Sequence, residues 1–225
     1  GHPLADQIPM VSDAGEARVR LGVPAAASVL AVLPGSRRSE VGRLGPPFAA
    51  TIAWLARERP GLVYLAAMAN PGARAAFGAA LARNAPGVQV HLVDGCAQDV
   101  MTASDAVLLA SGTATLECAL VKRPMVVCYR MAPLTSWLLR EFGLVKTRHF
   151  SQPNLLADRD LVPEYFQEQV RPEVLGPAVL GQLERTDRAE LTAAFNDIHE
   201  RLRRNASARA ADAILELLQA RERAP

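Results

Sequence analysis

The feature that most limits how this chain can fold is an alternation running from residue 28 to residue 129. Short apolar runs at 29–33, 62–67, 88–93, 106–109 and 125–129 are separated by helical spacing at 41–59, 73–84, 97–104 and 113–122. A strand with one wet face alternates apolar and polar residues, whereas VLAVL and MVVCY are apolar throughout, so these strands need cover on both faces. Strands joined through helices, with right-handed crossovers, make a parallel sheet: a doubly wound, Rossmann-like α/β domain. Pro60-Gly61 and Pro86-Gly87 punctuate two helix-to-strand returns. Beyond Arg130 helical patterns follow one another, with 145–149 the one remaining candidate strand. Three parts are expected: residues 1–27 as a linking segment with a helix, 28–150 as the sheet domain, and 151–225 as C-terminal helices completing it.

Charge and cysteine usage narrow the class. A formal net charge of +2 gives no reason to expect nucleic acid, and the eight arginines and eight acids of 184–225 read as solvated helix faces. Cys96, Cys118 and Cys128 and the four scattered histidines show no metal-ligand spacing, so no metal is expected and a reducing compartment is the simplest setting. No apolar run approaches the roughly 18–20 residues that span a bilayer, and no signal-peptide pattern opens the chain. Gly1-His2-Pro3-Leu4 carries no strand of its own and reads as the continuation of a longer protein.

In open parallel sheets ligands bind beyond the carboxyl ends of the strands, and two such ends are unusual here. Pro34-Gly35-Ser36-Arg37 follows the first run. Gly35 lets the backbone turn tightly, Ser36 can cap the next helix so that its amides face an anion, and Arg37 adds a fork suited to phosphate. Taken alone, the loop also reads as a serine-capped turn with a surface arginine. The second end runs from Ala110 to Glu117. Ser111, Gly112 and Thr113 should expose unpaired amides at a helix N-terminus, with Glu117 one turn in on the face of Thr113. A capping box would place the acid three residues after the cap, where Ala114 and Leu116 stand, so capping does not account for Glu117. Two readings stay open: a carboxylate accepting from ribose hydroxyls, or one paired with Lys122 or Arg123. Together the loops offer phosphate neutralisation and ribose recognition, the two needs of a sugar nucleotide.

The segments LPGSRRSEV, LLASGTATLECAL, KRPMVVCYRM and QPNLLADRDLVPE, with the opening GHPLAD, resemble in order the lipid-A-disaccharide synthase family of GT-B glycosyltransferases. The resemblance covers nearly the whole chain. It implies transfer of 2,3-diacylglucosamine from its UDP derivative to 2,3-diacylglucosamine 1-phosphate with release of UDP, without metal or cofactor. It implies two Rossmann-like domains, of which this sequence is the second, donor-binding one. The first would hold acceptor contacts and the general base, so no catalytic residue is assigned here. On the donor side it implies Arg37 at the diphosphate and Glu117 at the ribose. Asn154 should lie at the cleft near sugar or phosphates, with Gly35, Ser36, Ser111, Gly112, Thr113, Thr115 and Arg130 completing the UDP site. Gln152 departs from the family, where a small residue, often serine, is expected.

An acylated substrate implies a protein peripheral to the cytoplasmic face of a bacterial inner membrane, with a homodimer allowed. The expected helix at 134–142 presents Trp137, Leu138 and Phe142, followed by Lys146 and Arg148, which suits a membrane surface or a neighbouring domain. A dinucleotide-dependent oxidoreductase is disfavoured, because Pro34-Gly35-Ser36-Arg37 stands where GxGxxG would be. A stand-alone sugar-nucleotide-binding module remains the alternative to an enzyme half.

Overall fold

The computed structural model describes residues 1–131 and 148–222, the last four as backbone only. Two short helices, α1 (Pro3–Gln7) and α2 (Ala14–Arg20), precede the alternating region. There β1 (Val29–Leu33), α3 (Arg38–Glu58), β2 (Val63–Met68), α4 (Pro71–Asn84) and β3 (Val90–Asp94) lead to α5 (Ala97–Ala103), β4 (Ala106–Ala110), α6 (Thr113–Leu120) and β5 (Met125–Tyr129). After the gap come α7 (Gln152–Ala157), β6 (Glu164–Phe166), α8 (Pro172–Leu183), α9 (Arg188–Leu202) and α10 (Ala206–Glu222).

The six strands form one parallel sheet in the order β3-β2-β1-β4-β5-β6. Side chains of β1 alternate between two cores, which is why the run is apolar throughout. Val29, Ala31 and Leu33 join a layer containing Val100 of α5, Leu116 of α6 and Phe195 of α9. Leu30 and Val32 join the opposite layer with Phe48 of α3, Phe77 of α4 and Val179 of α8. The C-terminal helices therefore do not form a separate lobe, since α8 covers one face and α9 the other.

The sixth strand departs from the sequence reading, which placed only helices after residue 150. It is three half-buried residues, Glu-Tyr-Phe, pairing with β5 through Val127, Cys128 and Tyr129. So short an edge strand carries no apolar run to announce it. Of the candidate strand at 145–149, Arg148 and His149 are not in a strand and the rest lies outside the described residues. The expected helix at 134–142, with Trp137, Leu138 and Phe142, and Lys146 after it, also lies outside them.

The linking segment is fastened to the sheet domain. The Asp6 carboxylate accepts from the amides of Asn205 and Ala206, and Arg18 pairs with Asp105 at 3.1 Å. On α10, by contrast, Ile214, Leu215, Leu217 and Leu218 are all more than half exposed. Among the described residues no helix is long and apolar enough to cross a membrane.

Candidate functional site

The strand order reverses between β1 and β4, and a cleft of about 470 Å³ opens at their carboxyl ends. Its lining includes Gly35, Ser36 and Arg37 from one loop and Ser111, Gly112, Thr113 and Glu117 from the other. Both loops singled out in the sequence therefore face one cavity.

The first loop is held in an unexpected way. Ser36 does not cap α3: Arg37 occupies the N-cap position, without a side-chain cap bond. Glu40, in the first turn, reaches back so that its Oε2 accepts from the Ser36 amide at 3.0 Å. Asn70 Nδ2 donates to the Ser36 carbonyl at 2.8 Å, while Asn70 Oδ1 caps α4. Gly35 has φ +115°, which favours glycine, and a Cβ there would displace the Glu40 carboxylate. The first-turn amides of Arg38 and Ser39 remain without intrahelical partners, and the Arg37 guanidinium makes no ion pair or hydrogen bond among the described residues.

At the second loop Gly112 has φ +155° and precedes α6, whose first amides, Thr113 and Ala114, point out of the helix end without a side-chain cap. Ser111 lines the cleft, but its N–H donates to the Cys128 carbonyl at 2.8 Å and its hydroxyl to the Phe150 carbonyl at 3.1 Å. It shapes the loop and spares no donor for a ligand.

Glu117 is half-buried, and burial raises its pKa above the ordinary carboxylate value. The ion-pair reading fails on geometry. Lys122 Nζ is 2.6 Å from both the Leu120 carbonyl and His199 Nδ1, and Arg123 donates twice to the Thr102 carbonyl. The Glu117 carboxylate has no ion-pair or hydrogen-bond partner among the described residues, and the residue lines the cleft. Lys122 and His199 are instead a structural pair. His199 Nε2 lies 2.9 Å from the Ala5 carbonyl, so a neutral ring donates there and accepts from Lys122 at Nδ1. Burial lowers both pKa values, that of Lys122 to about 8.

Three expected site residues stand apart from the cleft. Thr115 is fully buried, its hydroxyl donating to the Gly112 carbonyl and accepting from the Gln152 amide. Arg130 donates to the carbonyls of Gln167 and Arg43. The second would have bonded residue 47, but Pro47 has no N–H, so Arg130 serves a backbone group that the helix cannot. Asn154 is 1% exposed and bonded within the fold. Its Nδ2 donates to the Val162 carbonyl and Glu164, and its Oδ1 accepts from the amides of Leu161 and Val162. Two donors and two lone pairs are all an amide side chain has, so Asn154 retains nothing for a ligand. Glu40, Asn70 and Glu164 escaped sequence reasoning; only the position of Glu40 in the first turn of α3 hinted at its contact. Among the described residues no cluster of three or more His, Cys, Asp or Glu is placed to hold a metal ion.

By its fold the chain is a doubly wound α/β domain of the kind that makes up about half of several glycosyltransferase chains. Anabaena Alr3699/HepE, solved in complex with UDP and glucose, matches with TM-score 0.57 and 17% identity over 93% of this chain and 53% of that one. WaaG, a glycosyltransferase involved in lipopolysaccharide biosynthesis, matches with TM-score 0.52 and 18% identity over 88% and 48%. These likenesses speak for the fold alone. In sequence, the chain belongs to the family described as Lipid-A-disaccharide synthetase, which it matches over residues 1–217. The lipid-A-disaccharide synthase of Xanthomonas axonopodis pv. citri is 48% identical over 99% of this chain and 51% of its own length. That of Pseudomonas syringae pv. tomato is 50% identical over 97% and 56%. The chain thus spans about half the length of these relatives.

Proposed function

We propose that this chain is the donor-binding half of a lipid-A-disaccharide synthase. The whole enzyme would transfer 2,3-diacylglucosamine from its UDP derivative to 2,3-diacylglucosamine 1-phosphate and release UDP. Family membership supports the reaction. The observation that carries the site is that the cleft is lined by the Glu117 carboxylate and the Arg37 guanidinium, both without partners among the described residues. A nucleoside diphosphate fits that pair, its phosphates on Arg37 and the amides at the starts of α3 and α6, its ribose hydroxyls on Glu117.

As the glycosidic bond to UDP breaks, negative charge grows on the leaving diphosphate. Arg37 and fixed amides stabilise that charge without reorganising, and this lowers the barrier. Gly35 and Gly112 let the backbone approach the phosphates, Thr113 adds a hydroxyl at the loop, and Ser36, Ser111, Thr115, Arg130 and Asn154 hold the walls. Deprotonation of the acceptor hydroxyl needs a base on the acceptor side, which falls to the other half. An acylated donor and acceptor place the enzyme at the cytoplasmic face of a bacterial inner membrane as a peripheral protein, with a homodimer compatible.

The test is calorimetry with UDP. The chain should bind it, and Arg37→Ala should weaken binding by about 1.5–3 kcal/mol, the scale of a hydrogen bond to a charged group. Equal affinity in both proteins would remove Arg37 from the site.

A further inference from the structure

Asn154 and Glu164 stand outside the cleft, yet a continuous set of hydrogen bonds joins them to it. Glu164 opens β6, and its half-buried carboxylate collects three N–H groups. Oε1 accepts from the Ser151 amide at 2.8 Å and from Asn154 Nδ2 at 2.9 Å, and Oε2 accepts from the Phe150 amide at 3.0 Å. The turn so fixed then grips the start of α6 at two points. The Phe150 carbonyl accepts from Ser111 Oγ at 3.1 Å, and the Gln152 amide donates to Thr115 Oγ1 at 3.3 Å. The two grips flank Gly112, Thr113 and Ala114, the last two of which supply the free amides at the start of the helix.

We propose that Glu164 is a positioning residue for the donor diphosphate: it fixes the 150–152 turn, and the turn sets where the amides of Thr113 and Ala114 point. This role rests on the reading of the cleft as a nucleotide site. It also gives Asn154 a function without ligand contact, because Asn154 orients the carboxylate while closing the loop from 154 to 162. Glutamine at 164 cannot reproduce the arrangement. Its single oxygen can serve Phe150 or the Ser151 and Asn154 side, and its NH₂ then faces an N–H on the other.

The experiment titrates UDP and uridine into the 225-residue chain and into Glu164→Gln, alone and combined with Ser111→Ala. UDP affinity should fall about tenfold in Glu164→Gln, as for loss of hydrogen bonds to a charged group, while uridine stays within about twofold. With Ser111→Ala present, one grip is already released, and the further loss from Glu164→Gln should shrink to about threefold or less. A merely structural role would weaken both ligands alike and give additive losses. Near-UV circular dichroism establishes that the variant is folded. If Glu164→Gln lacks the native spectrum, Glu164→Asp, which keeps the charge but shortens the reach, should show the same bias against UDP. Unchanged UDP affinity, equal losses for the two ligands or full additivity would each overturn the proposal. If the unmodified chain binds no UDP, the nucleotide site itself falls and this role with it.

Discussion

Replacing Glu117 by glutamine separates a binding role from a structural one, because the two effects run in opposite directions. The Glu117 carboxylate is half-buried without a partner among the described residues, and burial holds its pKa above the ordinary value of 4.5. The folded state therefore binds a proton more readily than the unfolded chain. Between pH 4.5 and the raised value, stability falls as pH rises, and above that window the fold carries the whole cost. Glu117→Gln removes the charge, so the variant should melt above the unmodified chain near neutral pH, and the gap should close below pH 4.5. Binding should go the other way. Two ribose hydroxyls donating to a carboxylate contribute about 1.5–3 kcal/mol each, and a neutral amide oxygen recovers about 0.5–1.5 of one of them. The net loss is about 1.5–5.5 kcal/mol, at least about tenfold in Kd for UDP. The control is 2′,3′-dideoxy-UDP, which lacks both hydroxyls and should bind the two proteins about equally. Thermal melts across pH 4–8 and calorimetry with both nucleotides make the assay. Equal losses for the two nucleotides would mean the helix end had been disrupted, and no loss for UDP would take Glu117 off the ribose.

Three further outcomes are expected. Gly35→Ala places a Cβ at φ +115° and 2.2 Å from Glu40 Oε2, so Glu40 must leave the Ser36 amide; denaturant melts should show a loss of about 1–3 kcal/mol, with weaker UDP binding. Gly176→Ala drives a methyl to 2.2 Å from Trp54 Cε3, where α8 crosses α3; stability should fall by about 1–3 kcal/mol while UDP affinity in the folded protein stays unchanged. Lys122, held near pKa 8, binds its proton less readily in the folded than in the unfolded chain, so its contribution to stability grows as pH rises from about 8 to 10.5. The melting temperature of the unmodified chain relative to Lys122→Met should climb across that window, and a flat difference would refute the assignment. Reading the difference rather than the absolute melt matters, because the buried thiols of Cys118 and Cys128, with raised pKa values, act in the opposite sense there.

The strands of the sheet's interior were legible because burial on both faces leaves its mark residue by residue: VLAVL and MVVCY can belong to little else. The two cleft loops were legible because a glycine before a helix, with an arginine or a displaced acid beside it, violates the ordinary turn and cap patterns. What escaped was settled by distant partners. Thr115 and Glu117 look equally placed in the sequence, and only the arrival of residues 150–152 decides that one is spent on the fold and the other left open. Asn154 lies in one of the segments that carry the family resemblance, but sequence likeness cannot distinguish a side chain that meets a ligand from one whose four hydrogen bonds are all internal. Ser36 looked like a cap until Glu40, one turn on, was seen to occupy its amide.

The pairing of β1 with β4 at the switch point gives occupancy a territory. The two walls of the cleft are carried by strands that touch each other but are separated in the chain by three helical crossovers. Any opening that parts those strands destroys the cavity, so a molecule seated across both loops opposes it by RT ln(1 + [L]/Kd). Openings that leave the pair intact receive none of that protection. The exposed helix α10, attached near Asp6, belongs to the second kind and can fray whether the cleft is full or empty. A ligand seated there would thus divide the domain into a centre whose persistence depends on it and a margin that is indifferent to it.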